Sequence, residues 1–360
     1  MDLLMGALPP SAQALTLVRE AKGLTQRELA MAAGVSQAVL SKAEGGLAGL
    51  GPRVGQVAEA LGCPASVLVD GFPLVGAPVT CLHHRRRTSQ VNAKAQKRVQ
   101  ALVQLTRVSV KAMVTAAGET PQVDQLVASR PLLGGPAEAA VAVRRRFGLG
   151  EGPIGDAMGV VERTGTVVVM RSLAAGGQDA VSSWAGDADT PLVLVSTGLP
   201  VDRQRFTVLH ELGHLLLHTL PDEGQELEAH RFAAELLMPA SAAVRDLAGL
   251  SISDLRRLAG LKETWGLSIA ALIQRALDVE CISQDQFRQM RIRLTRLGWH
   301  RAEPVTLPEE QPTRLAGYVA AARRRGFTDE QLAEAAQMTL PKFRSATWLS
   351  GASEEGLVHD

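Results

Sequence analysis

One stretch constrains this chain more than any other: residues 200–239, PVDRQRFTVLHELGHLLLHTLPDEGQELEAHRFAAELLMP. Within it, His210, Glu211 and His214 stand as His-Glu-Leu-Gly-His. On an α-helix, positions i and i+4 project from one face, a turn apart. Two imidazoles so placed can reach one zinc ion at about 2.0–2.1 Å. The pattern therefore asks for a helix here and for a second element, folded against it, to complete the coordination. Glu211 follows His210 directly, so it falls beside the ion, where it can accept a proton from a water. Zinc lowers the pKa of such a water toward about 7, which supplies a nucleophile at neutral pH.

The second element is ELEAHRFAAELLMP, a helix that begins after Pro221-Asp222-Glu223-Gly224 and stops at Pro239. Its candidates for a third ligand are Glu226, Glu228 and Glu235. Glu226 and His230 share a face at i, i+4. One can ligate while the other holds a histidine of the first helix from behind. Helical geometry turns Glu228 about 160° from that face, and Glu235 reads as a surface charge. Glu226 is the first choice. His218 continues the His210–His214 row by one turn; there it is a cation suited to a helix C-terminus, the alternative is a part in polarising a substrate, and with His230 it is also a candidate to support the ligands from behind. A bare HExxH recurs by chance, but an acidic helix one short turn later makes the pair specific.

RQRFTVLHELGHLLLH followed by ELEAHRFAAELLMP resembles the ImmA/IrrE-type metallopeptidases, gluzincin-like enzymes linked to cleavage of helix-turn-helix repressors. The resemblance implies zinc ligands at His210, His214 and Glu226 and a catalytic base at Glu211. It also implies an extended peptide bound along a strand beside the cleft. The chain departs from the family's usual Asn or Asp at His230, which bears on the support of the ligands and not on the ligand set. Mn²⁺ or Fe²⁺ suits the same donors.

The N-terminal segment carries a different pattern. Ser11–Ala21 is a helix stopped at Gly23. Thr25 with Glu28 forms a capping box for the next helix, whose Leu29, Ala30, Ala32 and Ala33 make a buried face. Gly34 turns the chain, and Ser36 caps SQAVLSKAE, with Val39, Leu40 and Ala43 inward and Gln37, Ser41 and Lys42 outward. Arg53–Leu61 and Ala65–Val69 follow. GLTQRELAMAAGVSQAVLSKAEGG resembles the XRE/Cro-type helix-turn-helix family. The resemblance implies double-stranded DNA as partner, with Gln37 and Ser41 on base edges and Gln26 and Lys42 on phosphate.

Positive charge collects just after this segment. Between Gly71 and Gly118 stand Arg85, Arg86, Arg87, Lys94, Lys97, Arg98, Arg107 and Lys111, with His83 and His84 and no carboxylate. A solvated face and a phosphate-binding surface are equally compatible with that run. Asn92–Ala117 reads as one long helix. Beyond it, Pro136–Phe147 and Ile154–Glu162 read as helices, and Thr166–Met170 and Pro191–Ser196 as strands of a small sheet before the HELGH helix. Helices at Ala242–Leu250, Ser253–Leu261 (capped by Ser253), Ser268–Leu277 and Ser283–Leu297 follow. Glu303–Pro312 marks a boundary.

The tail repeats the N-terminal pattern. Residues 23–43 align without gaps to 326–346: Thr25 with Thr328, Leu29 with Leu332, Ala30 with Ala333, Ser36 with Thr339 and Leu40 with Phe343. Gly34 becomes Gln337, and Pro341 enters the third helix early, where it is tolerated. The segment reads as a degenerate helix-turn-helix, which either binds DNA through Lys342 and Arg344 or packs on a partner.

The expected fold is mainly α with a small β-sheet (α+β). A helix-turn-helix bundle over 1–75 leads through a basic linker helix over 76–118 to a metallopeptidase domain over 119–300 and a helix-turn-helix-like tail over 312–350. Cys63, Cys81 and Cys281 are isolated, as in a chain kept in a reducing cytoplasm. No run of about 18 apolar residues spans a membrane, and a net charge of +1 names no partner. The expected function is a DNA-binding, zinc-dependent endopeptidase acting on a repressor or antitoxin in a stress or mobile-element response. The alternative is a non-proteolytic regulator, or antitoxin, whose zinc is structural or sensory. Either is compatible with a homodimer.

Overall fold

The structure is a computed structural model that describes residues 8–72, 93–132, 134–173, 178–184, 186, 189–219 and 222–346. The N-terminal helices are α1 (Pro10–Ala21), α2 (Gln26–Ala33), α3 (Gln37–Glu44), α4 (Val54–Leu61) and α5 (Ala65–Val69). Thr25 and Glu28 make the expected reciprocal cap on α2, and the Ser36 hydroxyl accepts from Val39 N. Gly34 takes φ +63° at the α2–α3 turn. Leu29, Ala30, Ala33, Leu40 and Ala43 are buried as read, whereas Ala32 is exposed. The Arg19 guanidinium fixes α1 to α3 by two bonds to Glu44, at 2.5 and 2.9 Å.

Helix α6 (Ala93–Ala116) lies in the stretch expected as a basic linker helix, and it is a core element. Val99, Leu102, Val103, Val110, Met113 and Val114 are buried in the same cluster as α1, α2 and α3. The tail helices α16 (Arg314–Arg324), α17 (Asp329–Ala335) and α18 (Leu340–Arg344) join that cluster through Leu315, Tyr318, Leu332, Ala333 and Phe343. Thus α6 is packed against α1 and also against α16 and α17.

Between α6 and the tail lie α7 (Gln125–Ala128), α8 (Pro136–Phe147), α9 (Ala157–Arg163) and three strands, β1 (Val167–Met170), β2 (Ala180–Ser183) and β3 (Leu192–Val195). The strand order is β1-β3-β2, with β1 parallel and β2 antiparallel to β3. Side chains alternate between the faces of a sheet. Here Val167, Val169, Leu192 and Leu194 enter the core shared with the helix-turn-helix helices, and Val168, Val193 and Val195 enter the second core. Burial on both faces is why β1 and β3 read as unbroken apolar runs. β2 was not foreseen.

Helix α10 (Val201–Leu217) follows β3, and α11 (Gln225–Leu237) packs beside it. Helices α12 (Ala240–Leu247), α13 (Leu255–Trp265), α14 (Ile269–Asp278) and α15 (Gln284–Arg296) complete the second core. Ser253 is not the cap of α13: Asp254 holds that position without a side-chain cap bond, because its carboxylate accepts from Ser251 N and Oγ. Among the described residues, no helix is long and apolar enough to cross a membrane.

Candidate metal centre and DNA-facing helix

Helix α10 buries Val208, Leu209, Leu212, Leu215 and Leu216 in the second core. That apolar stripe fixes the rotation of the helix, and so the direction of the row His210–His214. Gly213 sets how close α11 comes. A Cβ at this position would lie 2.9 Å from Phe232 Cδ1 and 3.1 Å from Ala229 Cα. Only a residue without a side chain allows that approach, which carries Glu226, on the first turn of α11, to the two histidines.

The donor atoms converge. His210 Nε2 and His214 Nε2 are 3.1 Å apart. Glu226 Oε2 is 3.6 Å from His210 Nε2, and its Oε1 is 3.4 Å from His214 Nε2. Donors about 2.0–2.1 Å from a tetrahedral zinc sit about 3.3–3.4 Å from one another. The three separations fit one small cation. Among the described residues this is the group of His, Cys, Asp and Glu whose ligand atoms come together, all within 4.8 Å. Two buried oxygens, Glu211 Oε2 and Glu226 Oε1, have no hydrogen-bond partner among the described residues. Buried polar atoms are rarely left so, and a cation with its water would supply partners. Burial alone would raise the Glu226 carboxyl, but the His210 and His214 rings outweigh it and hold the group well below the usual carboxylate range. Glu211 is 3% exposed and His214 is 0% exposed, so the site is closed from below and reached past His210 and Glu226.

Other residues of the two helices stand differently from the sequence reading. His218 leaves the helical path at the end of α10, and its ring bonds His214 Nδ1 through Nδ1 at 3.1 Å. Its Nε2 meets Glu228 Oε2 at 3.0 Å. His218 is therefore a buried partner of a ligand and not an exposed dipole cation. Burial lowers its pKa, and Glu228 offsets part of that. Glu228, expected to point away, is brought in because the reach of its side chain and the inward turn of His218 close the gap. His230 makes no bond to a ligand; its ring packs on Phe206 at 4.8 Å. Glu235 is no free surface charge: it pairs with Arg275 and accepts from Ala240 N at 2.9 Å. Arg205 on α10 is buried and bound to Gly266 O, Ile154 O and Glu310.

Phe206 lies one turn before His210, and His230 lies one turn after Glu226. Both line a cleft of about 1240 Å³, which Trp299, Val305 and Leu307 also line. The cleft thus begins one helical turn from the ligand row. Its floor carries Lys262, bridged to Asp202 at 2.5 Å and Glu303 at 2.8 Å.

On the N-terminal bundle, Gln37, Ser41 and Lys42 are exposed side by side on α3. Gln26 is not free in the same way, since its amide donates to Glu44 Oε2 at 2.9 Å. The basic stretch after the bundle is partly spent on the protein itself. Lys94 meets Glu28, Lys97 meets Glu20, Arg98 bonds Ala21 O, and buried Arg107 pairs with Asp189 and Ser183. Arg85, Arg86, Arg87, His83 and His84 lie outside the described residues. In the tail, Lys342 bonds Gly62 O at 3.2 Å, and Arg344 faces Asp329 and Glu330.

No curated protein and no solved structure matches the chain. Two families do match parts of it: residues 15–68 match a family described as helix-turn-helix, and residues 161–277 match the M78 peptidase family, described as an IrrE N-terminal-like domain. The second range takes in β1 through α14, with His210, Glu211, His214 and Glu226 inside it, so this part of the chain is similar to the IrrE N-terminal-like domain of the M78 peptidase family and the N-terminal bundle to the helix-turn-helix family.

Proposed function

We propose that this protein is a DNA-binding, metal-dependent endopeptidase that cleaves a repressor or antitoxin protein. The observation that carries the reading is the convergence of His210, His214 and Glu226, with Glu211 next to His210 in the chain and its Oε2 buried with no hydrogen-bond partner among the described residues. These three side chains would hold the ion, with zinc the first choice for two imidazoles and a carboxylate. The ion supplies Lewis acidity toward a water and a peptide carbonyl. Glu211 then does the proton work: its carboxylate accepts a proton at Oε2 and later delivers it to the leaving amine. Burial of Glu211 and His214 excludes bulk water from that exchange. The cleft past Phe206 and His230 receives the substrate chain on one side of the ligand row. The helix-turn-helix domain brings the peptidase to DNA, where a repressor would be found, through Gln37, Ser41 and Lys42.

The test is Glu211→Gln, compared with wild type by metal analysis and by proteomics of cells producing each. The expected result is unchanged metal content and loss of one or more specific cleavage products. Cleavage patterns identical in the two strains would overturn the peptidase reading and favour a regulator whose metal is structural or sensory.

A further inference from the structure

We propose that Glu228 and His218 are positioning residues that, through a hydrogen-bonded relay ending on His214, fix the tautomer of that ligand and tighten the metal site. The proposal rests on the reading of His210, His214 and Glu226 as metal ligands.

The argument is a count of protons. His214 Nε2 faces His210 Nε2 and Glu226 Oε1. If it offers a lone pair to a cation there, its proton must sit on Nδ1. His214 Nδ1 lies 3.1 Å from His218 Nδ1, so His218 Nδ1 must accept. The His218 proton is then on Nε2, which lies 3.0 Å from Glu228 Oε2, an acceptor when ionised. One assignment satisfies every atom of the row. The relay and the metal site therefore require each other.

The two helices are arranged to make this row. His218 ends α10 with φ −121° and ψ 126°, out of helical geometry, and is 6% exposed. A buried imidazole needs a partner for each nitrogen, and His214 and Glu228 are those partners. Helix α11 thus grips the histidine row twice, at the metal end through Glu226 and at the far end through Glu228. The carboxylate draws the His218 proton toward itself, which makes His218 a better acceptor and His214 a more basic ligand. Outer partners of metal-bound histidines commonly change metal affinity by about 10–100-fold.

The experiment measures zinc affinity by chelator competition, and the visible spectrum after Co²⁺ loading, for wild type, Glu228→Ala, Glu228→Gln, His218→Ala and the double variant His218→Ala/Glu228→Ala. Thermal unfolding of the metal-free forms shows that each is folded. Glu228→Ala is expected to weaken zinc by about 10-fold or more. Glu228→Gln, whose amide oxygen still accepts from His218 Nε2, should lose less. His218→Ala should shift the Co²⁺ spectrum, and adding Glu228→Ala to it should cost nothing further. Wild-type affinity in Glu228→Ala, or losses that simply add in the double variant, would overturn the relay while leaving the metal centre intact. A wild-type chain that binds no zinc would instead overturn the metal-centre reading, and the relay with it.

Discussion

The candidate metal centre and the helix proposed to face DNA treat unpartnered polar groups in opposite ways. On α3, Gln37, Ser41 and Lys42 are exposed, so water satisfies them and the bundle is complete without DNA. Glu211 Oε2 on α10 and Glu226 Oε1 on α11 are buried with no hydrogen-bond partner among the described residues, a place that a bound cation and its water would fill. The contrast says which function is coupled to stability. Ligand binding should leave the folding of the first unit nearly untouched and should be part of the folding of the second.

The largest effect should come from removing the metal. A ligand present at about 1,000 times its Kd stabilises by about 4 kcal/mol. Chelation should therefore lower the unfolding temperature of residues 161–277 by several degrees, while amide exchange in α1–α5 stays unchanged. Equal loss in both units would break the contrast. Next comes a buried ion pair of the N-terminal helix-turn-helix unit. Arg19 and Glu44 are 11% and 7% exposed as side chains, so Glu44→Ala strands a charge and should destabilise by about 3 kcal/mol, measured by urea unfolding. It should leave metal content untouched. Gln37→Ala and Ser41→Ala should each weaken specific DNA binding by about 1–2 kcal/mol with no change in unfolding temperature. A stability loss there would mean that α3 is not a free face.

The smallest effect compares the bundle with its repeat. Gly34 and Gln337 occupy the same turn at φ +63° and +61°. Nothing crowds Gly34 within 4 Å, so the two residues differ in backbone preference and in one exposed bond, from Gln337 Nε2 to Glu334 O at 3.1 Å. Gln337→Gly should stabilise by about 1 kcal/mol in thermal melts. The tail keeps the fold of the unit, capping box included, but not its free face. Asp329 and Glu330 stand where Gln26 and Arg27 stand in the bundle, and they hold Arg344, while Lys342 is bound to Gly62 O. The pattern that builds a helix-turn-helix is thus separate from the residues that would read DNA.

Much of this was legible in the sequence because it is local. The caps Thr25 and Ser36, and Thr328 in the repeat, sit at fixed offsets from their helices, and β1 and β3 announce themselves as apolar runs. The HELGH spacing by itself places His210, Glu211 and His214. What was not legible depends on tertiary approach. β2 is Ala-Val-Ser-Ser, too short and too polar to signal a strand, and is held by pairing with β3. Helix α6 carries Lys94, Lys97, Arg98 and Arg107, which read as a solvated face until their partners on α1, α2 and the sheet edge are seen. Glu228 failed for a related reason: a helical wheel gives the direction of Cβ but not the reach of a side chain toward a neighbour that has left its own helix.

The central claim is that His210, His214 and Glu226 bind one divalent ion. It is tested most directly by metal stoichiometry, measured by elemental analysis on purified wild type and on Glu226→Ala after dialysis against zinc. The account predicts about one equivalent per chain in wild type and close to none in the variant. Wild type without metal, or a variant that keeps its full equivalent, would contradict it.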